Sequence, residues 1–227
     1  MTKNRYSDLT REQLLEKIRQ LEKKRYGLVW EDKQEEVAER CERELPVLVH
    51  QPDKEIAEDP DGPTNLLIEG DNYHALFALN FTHRRKIDVI YIDPPYNTGA
   101  KNWTYNNAFV DANDRYRHSK WLSMMNKRLR LAKPLLSENG IICVAIDDYE
   151  VPRLTILLEE IFGEINYLGT VPIRNNPSGR STVRGFSVAH EYALFFAKSE
   201  RARISRLERT EQQIARYDLE DSVSKYE

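Results

Sequence analysis

From residue 64 onward, short apolar runs alternate with stretches whose apolar residues recur at helical spacing. "NLLIEGD" reads as a short strand ending in Gly70 and Asp71, "NYHALFALN" as a helix and "KIDVIYID" as a second buried strand, together a β-α-β unit. "HSKWLSMMNKRLRLAKPLLSENG" then places Trp121, Met125, Leu129, Ala132 and Leu136 on one helical face, followed by an Asn139-Gly140 turn and the strand "IICVAID". "DDYEVPRLTILLEEIFG" predicts a helix closed by Gly163, and "INYLGTVPI" and "HEYALFFAKS" two more strands. The pattern predicts an α/β fold with a mostly parallel sheet and helices on both faces.

Residues 1–63 have another character. "TREQLLEKIRQLEKKRYG" predicts an N-terminal helix with Thr10 and Gln13 as a capping box and Gly27 as its stop. Its narrow stripe of Leu14, Leu15, Ile18 and Leu21 suits docking on another helix or subunit as well as on its own domain. Residues 31–63 are charge-rich and end in "EDPDGPT", a linker or surface wrap. Residues 64–200 form the regular part, and 201–227 a charged tail. "RNNPSGRSTVRGFSVA", residues 174–189, breaks the pattern with Gly, Ser, Asn and Pro and reads as a mobile loop.

Charge narrows the functional classes only slightly. With 34 Lys and Arg against 37 Asp and Glu, the net charge is −3, so any nucleic-acid contact must come from local patches. The two cysteines, Cys41 and Cys143, suit reduced thiols in a cytoplasmic protein. No apolar run reaches the roughly 20 residues that span a bilayer, and nothing suggests a metal site.

Chemistry concentrates in "DVIYIDPPYNTG", residues 88–99. Ligands of open α/β sheets bind at the carboxyl ends of strands, where Asp93 falls. Pro94 and Pro95 stiffen the turn and donate no backbone hydrogen bond, so the Asp93 carboxylate and Pro94 carbonyl stand as acceptors beside the Tyr96 ring. Two acceptors next to a stacking surface suit the exocyclic amino group of a flat heterocycle. Such a pocket is out of reach of a paired base. The base must be flipped out at a few kcal/mol, partly offset by stacking of about 1–3 kcal/mol. An exposed polyproline ligand is the bland alternative, disfavoured by the buried "VIYI" in front of it.

"DPPYNTG" resembles the catalytic motif of DNA amino-methyltransferases that use S-adenosylmethionine. Together with "KKRYGLVWEDK", "LLIEGDNYHAL", "YRHSKWLSMMNKRLRLAKPLL", "GIICVAIDDYE" and "EEIFGEINYLG", it is similar to the amino-terminal half of type III restriction–modification Mod subunits, whose motif order is permuted. The resemblance implies a partial Rossmann-like methyltransferase sheet that methylates adenine in double-stranded DNA beside a restriction subunit. It makes Asp93, Pro94, Pro95 and Tyr96 the catalytic corner, with Asp71 near the cofactor's adenosine and Asn97, Thr98 and Gly99 on the methyl-donor side. Asp71 also suits a helix N-cap, and Asp147 and Asp148 either flank the pocket or cap the helix behind them. Arg174, Arg180 and Arg184 are the expected DNA contacts, "HRRK" at 83–86 is expected to be a solvated face, and His190 a strand-end histidine.

The family's Phe-x-Gly-x-Gly cofactor turn is absent from these 227 residues. If the family's sheet order holds, the strands ending at Gly70 and Asp93 flank missing strands, leaving unpaired edges. The isolated chain is therefore expected to bind S-adenosylmethionine weakly or not at all, with a complementing carboxyl-terminal half or a homodimer as candidate partners; a stoichiometric micromolar site in calorimetry would overturn this. Alternatives are a non-catalytic DNA-binding or dimerising remnant, and an amino-methyltransferase of cytosine, RNA or protein glutamine.

Overall fold

A computed structural model describes residues 9–23, 27–56, 62, 65–175, 185–211, 219–220 and 225–226. Helix α1 spans Arg11–Lys23 and opens on a reciprocal cap: the Thr10 amide donates to Gln13 Oε1 at 2.9 Å and the Gln13 amide to Thr10 Oγ1 at 3.2 Å. Its Leu15 and Ile18 are exposed. The chain then wraps the body, with Leu28 and Trp30 against the core, before the short helix α2, Glu36–Cys41.

Helix α3 (Asn72–Thr82) leads into strand β1 (Ile87–Ile92), then a hairpin of β2 (Ala100–Tyr105) and β3 (Ala108–Asp111). Next come α4 (Arg117–Ala132), β4 (Leu136–Ile146), α5 (Val151–Phe162), β5 (Tyr167–Arg174) and β6 (His190–Ala197). A two-residue pair, β7 (Leu219–Glu220) with β8 (Lys225–Tyr226), follows. The hairpin escaped the sequence reading. Its signal is Asn106-Asn107, both left-handed at φ 48° and 62°, the geometry of a tight hairpin turn.

The main sheet runs β1-β4-β6-β5. Only β1 and β4 pair in parallel, whereas β6 is antiparallel to both β4 and β5. The sheet is therefore mixed, not mostly parallel as expected. A run of apolar residues marks a buried strand without marking its direction. Direction comes from the connections: the α4 crossover makes β1 and β4 parallel, and β6 returns between β4 and β5.

Two further expectations fail. "NLLIEGD" is no strand: residues 65–69 join no ladder, and Leu66 and Leu67 are exposed. Nor does Asn139-Gly140 form a turn between elements, because it lies inside β4. There β1 advances two residues, Ile87 to Val89, against five in β4, Leu136 to Ile141, and the pair sits in the resulting bulge.

Helices cover one face of the sheet among the described residues, where two covered faces were expected. α3 packs on α4 and α4 on α5, and their apolar side meets Ile142, Val144, Ile146, Leu194 and Phe196. Trp121, Leu129, Leu154, Leu157 and Leu158 have at most 1% exposure. Each such side chain contributes about 1.5–3 kcal/mol of burial. Val89, Tyr91, Val171 and Ile173, which alternate with the buried positions, are exposed. Trp121, Met125, Leu129 and Ala132 are buried on α4 at their helical spacing, but Leu136, past Pro134, opens β4 instead. Helix α5 ends at Gly163, φ 95°, whose amide donates to the Glu159 carbonyl at 2.8 Å. Both cysteines are free and buried. None of the described helices is long and apolar enough to cross a membrane.

Candidate active site

Strands β1, β4 and β5 run in one direction and β6 against them, so their ends share a rim. That rim brings together Asp93 after β1, Asp147 and Asp148 after β4, Arg174 at the end of β5 and His190 at the start of β6, with Arg174 and His190 paired in register. Topology thus gathers residues up to 97 positions apart in sequence.

The turn at Asp93 goes from solvent to core within five residues. Asp93 is exposed, Pro94, Pro95 and Tyr96 are half-buried, and Asn97 has no exposure at all. Trp121, wholly buried in α4, donates its indole N–H to the Pro95 carbonyl at 2.6 Å, pinning the corner to the core.

Asn97 holds the turn from below. Its φ of 57° lies in the left-handed region that asparagine tolerates better than most residues. Its amide nitrogen donates to Glu150 Oε1 at 2.5 Å, and its Oδ1 accepts the Trp103 indole N–H at 3.3 Å. Glu150, also with no exposure, meets His118 Nδ1 at 2.5 Å through the same oxygen and faces Arg153 at 3.5 Å through the other. One buried carboxylate therefore joins the corner to α4 and α5. Asn97 was expected on the methyl-donor side; its side chain is engaged by Glu150 and Trp103 inside the protein. Thr98 Oγ1 accepts the Ala100 amide at 3.4 Å. At Gly99, φ 84°, an added Cβ would lie 2.8 Å from Ala112, so close backbone approach requires glycine here.

Tyr96 reaches across the rim to a residue that the sequence reading passed over. Its hydroxyl donates to Glu191 Oε2 at 3.3 Å, and Asn175 Nδ2 donates to that same oxygen at 2.8 Å. Burial raises the Tyr96 phenol well above the ordinary tyrosine value, helped by the hydrogen bond and charge of Asp93 and then by Glu191. It stays a neutral phenol. Glu191 alternates with His190 and Tyr192 across β6, and that alternation was its signal in "HEYALFF".

Asp71 caps α3: its Oδ1 accepts the Tyr73 amide at 2.8 Å and stands 3.7 Å from Arg128. It also borders a cavity of about 220 Å³ with apolar walls from Val47, Leu48, Ile68 and Ala75. Asp147, buried at 3% exposure, accepts the Tyr149 amide on its side chain and the Val151 amide on its carbonyl, and so shapes the start of α5. Asp148 accepts the Tyr192 hydroxyl at 2.9 Å, and that hydroxyl meets His190 Nε2 at 2.8 Å. Arg174 is exposed, whereas Arg180 and Arg184 lie outside the described residues.

A family model described as DNA methylase (N6/N4) matches residues 87–226, which begin at β1 and include the whole rim. The chain belongs to the N6/N4 DNA methylase family. It is 33% identical over 219 residues to the type III restriction-modification enzyme EcoPI Mod subunit of Escherichia phage P1, covering 83% of this chain and 33% of that protein. The EcoP15I Mod subunit of Escherichia coli is 32% identical over 228 residues, covering 86% of this chain and 34% of its own. Type II methyltransferase M.KpnI of Klebsiella pneumoniae is 38% identical over 146 residues, 64% of this chain and 35% of that protein. The chain thus spans about a third of the length of these curated relatives.

Proposed function

We propose that this N6/N4 methylase chain carries the target-base corner of a site-specific DNA methyltransferase that acts on the amino group of a flipped adenine, within a type III restriction–modification system. The observation that carries this is the Asp93–Tyr96 turn, set at a strand's carboxyl end and anchored through Trp121 and Asn97. The similarity to Mod subunits supports adenine over the cytosine, RNA and protein acceptors.

The residues near Asp71 suit the adenosine part of S-adenosylmethionine: apolar walls for a flat ring, and a carboxylate as acceptor for ribose hydroxyls. When bound, the cofactor supplies an electrophilic methyl group on sulfur. The Asp93 carboxylate and the Pro94 carbonyl accept the two N–H bonds of the adenine amino group and hold its lone pair out of the ring. The Asp93 carboxylate is also the group that would take the surplus amino proton once that nitrogen carries the methyl group. The neutral Tyr96 ring stacks on the base and excludes water from one face.

The double-stranded DNA substrate meets the Arg174 side of the rim, and a restriction subunit and a complementing carboxyl-terminal half are the chain's proposed protein partners. Transfer of labelled methyl from S-adenosylmethionine to duplex DNA tests the reading, with and without a candidate carboxyl-terminal polypeptide. Absence of transfer in both conditions would favour the non-catalytic remnant. Within the catalytic reading, Tyr96→Ala should weaken capture of an extruded base by about 1–3 kcal/mol, whereas Tyr96→Phe keeps the stacking surface. A 2-aminopurine fluorescence titration distinguishes the two, and equal losses would remove stacking from the account.

A further inference from the structure

The opposite rim of the sheet has a chemistry that the methylation reading does not use. A cavity of about 260 Å³ opens there, walled by Arg84, Arg85, Arg130, Lys133 and Lys198 over Ile161. Five cations crowd a small concave volume, although like charges repel at such range. A carboxylate beside them is Glu138, half-buried and 3.9 Å from Arg85 Nε.

The cationic wall is built in advance. The Arg85 amide donates to the Pro134 carbonyl at 3.0 Å and the Lys86 amide to the Leu135 carbonyl at 3.0 Å, so the turn ahead of β1 is clamped to the end of α4, with Arg85 left-handed at φ 59°. Lys133 donates to the Ile161 carbonyl at 2.5 Å and Lys198 to the Lys133 carbonyl at 2.9 Å, which places both ammonium groups on helix ends with two N–H donors each to spare. Arg130 donates through Nε to Asn126 at 2.8 Å, leaving its two NH2 groups. Capping of helix ends accounts for the two lysines. It does not account for three arginines lining the same cavity.

Burial lowers the Lys133 ammonium, as does Arg130. Burial lowers Lys198 too, aided by Lys133 and, against the opposing pull of Glu138, by Arg85 and Arg84. An anion between them would relieve both costs. Forked guanidinium donors together with ammonium groups match a multivalent tetrahedral oxyanion better than a single carboxylate.

We propose that this cavity binds a compact phosphate-bearing anion of diphosphate or triphosphate size. The strand β1 separates it from the Asp93 corner by roughly 20 Å at about 3.3 Å per residue, so the nucleotide extruded at that corner does not reach it. The site stands independently of the methylation reading.

Calorimetric titration of the 227-residue chain with pyrophosphate and tripolyphosphate at low salt tests it. One saturable site is expected, weakened by about tenfold or more in Arg84→Ala and in Arg130→Ala, and lost when Arg84, Arg85 and Arg130 are all alanine. Lys101→Ala, an exposed cation on β2, should bind as the parent does. Arg84 is exposed, so its single variant reports on binding even if the triple variant melts early. No saturation by about 10 mM, near the weakest affinity of interest, would overturn the proposal. Unchanged binding in a folded triple variant would do so too, as would displacement of pyrophosphate by a short DNA duplex.

Discussion

Asp93→Ala should lower the rate of methyl transfer to DNA by about 10³-fold while leaving DNA affinity within about twofold. The side chain is exposed at the end of β1 and carries no part of the core, so the fold should persist with an unchanged melting temperature. On the proposed reading the effect is on chemistry: removing the carboxylate deletes one of two acceptors for the amino group, together with the group that receives the proton. Asp93→Asn keeps one acceptor without the charge and should fall between the two. An Asp93→Ala protein that transfers methyl groups at the parent rate would refute the role given to this corner.

Glu150→Ala is expected to produce the largest loss of stability, about 2–4 kcal/mol, from a residue with no place in the reaction itself. Its carboxylate has no exposure and takes donors from Asn97 and His118 at 2.5 Å each, with Arg153 at 3.5 Å. Alanine leaves the Asn97 amide buried without its acceptor and two basic side chains without their partner. The ion-pair share is discounted because His118 and Arg153 are 32% and 37% exposed. The melting temperature should fall by roughly 5–15 °C, by the usual scaling for a domain of this size. Glu150→Gln retains one oxygen and should lose about half as much. Asn97→Asp sets a second carboxylate against the first and should be worse than Asn97→Ala. Calorimetric melting of the set decides the matter: a change of less than about 1 °C in Glu150→Ala would show that the node contributes nothing.

The Asp93–Tyr96 turn was legible in sequence because it is local. Four consecutive residue types and the apolar run in front of them state both the geometry and its place at a strand end. The machinery holding the corner was not. His118, Trp121 and Glu150 reach it from 21 to 53 residues beyond Asn97, and nothing in "DDYEVPR" distinguishes a buried carboxylate from a solvated one. Asn97 illustrates the difference: its motif neighbours suggested a ligand contact, and its hydrogen bonds place it in the protein's interior.

What the sequence alone determined is therefore periodic or contiguous. The faces of α4 and α5, the caps at Thr10 and Gly163, and the acceptor-bearing turn at Asp93 follow from side-chain spacing and from the backbone preferences of glycine, proline and threonine. Tertiary structure alone decided strand direction, the single helical layer, the exclusion of "NLLIE" from the sheet, and the company that Tyr96 and the Lys133 cavity keep. Apolar runs and charges state what must be buried or solvated. Which strand lies beside which, and which charges are pressed together, depends on long-range closure of the chain, where partners are chosen by packing and not by proximity in sequence.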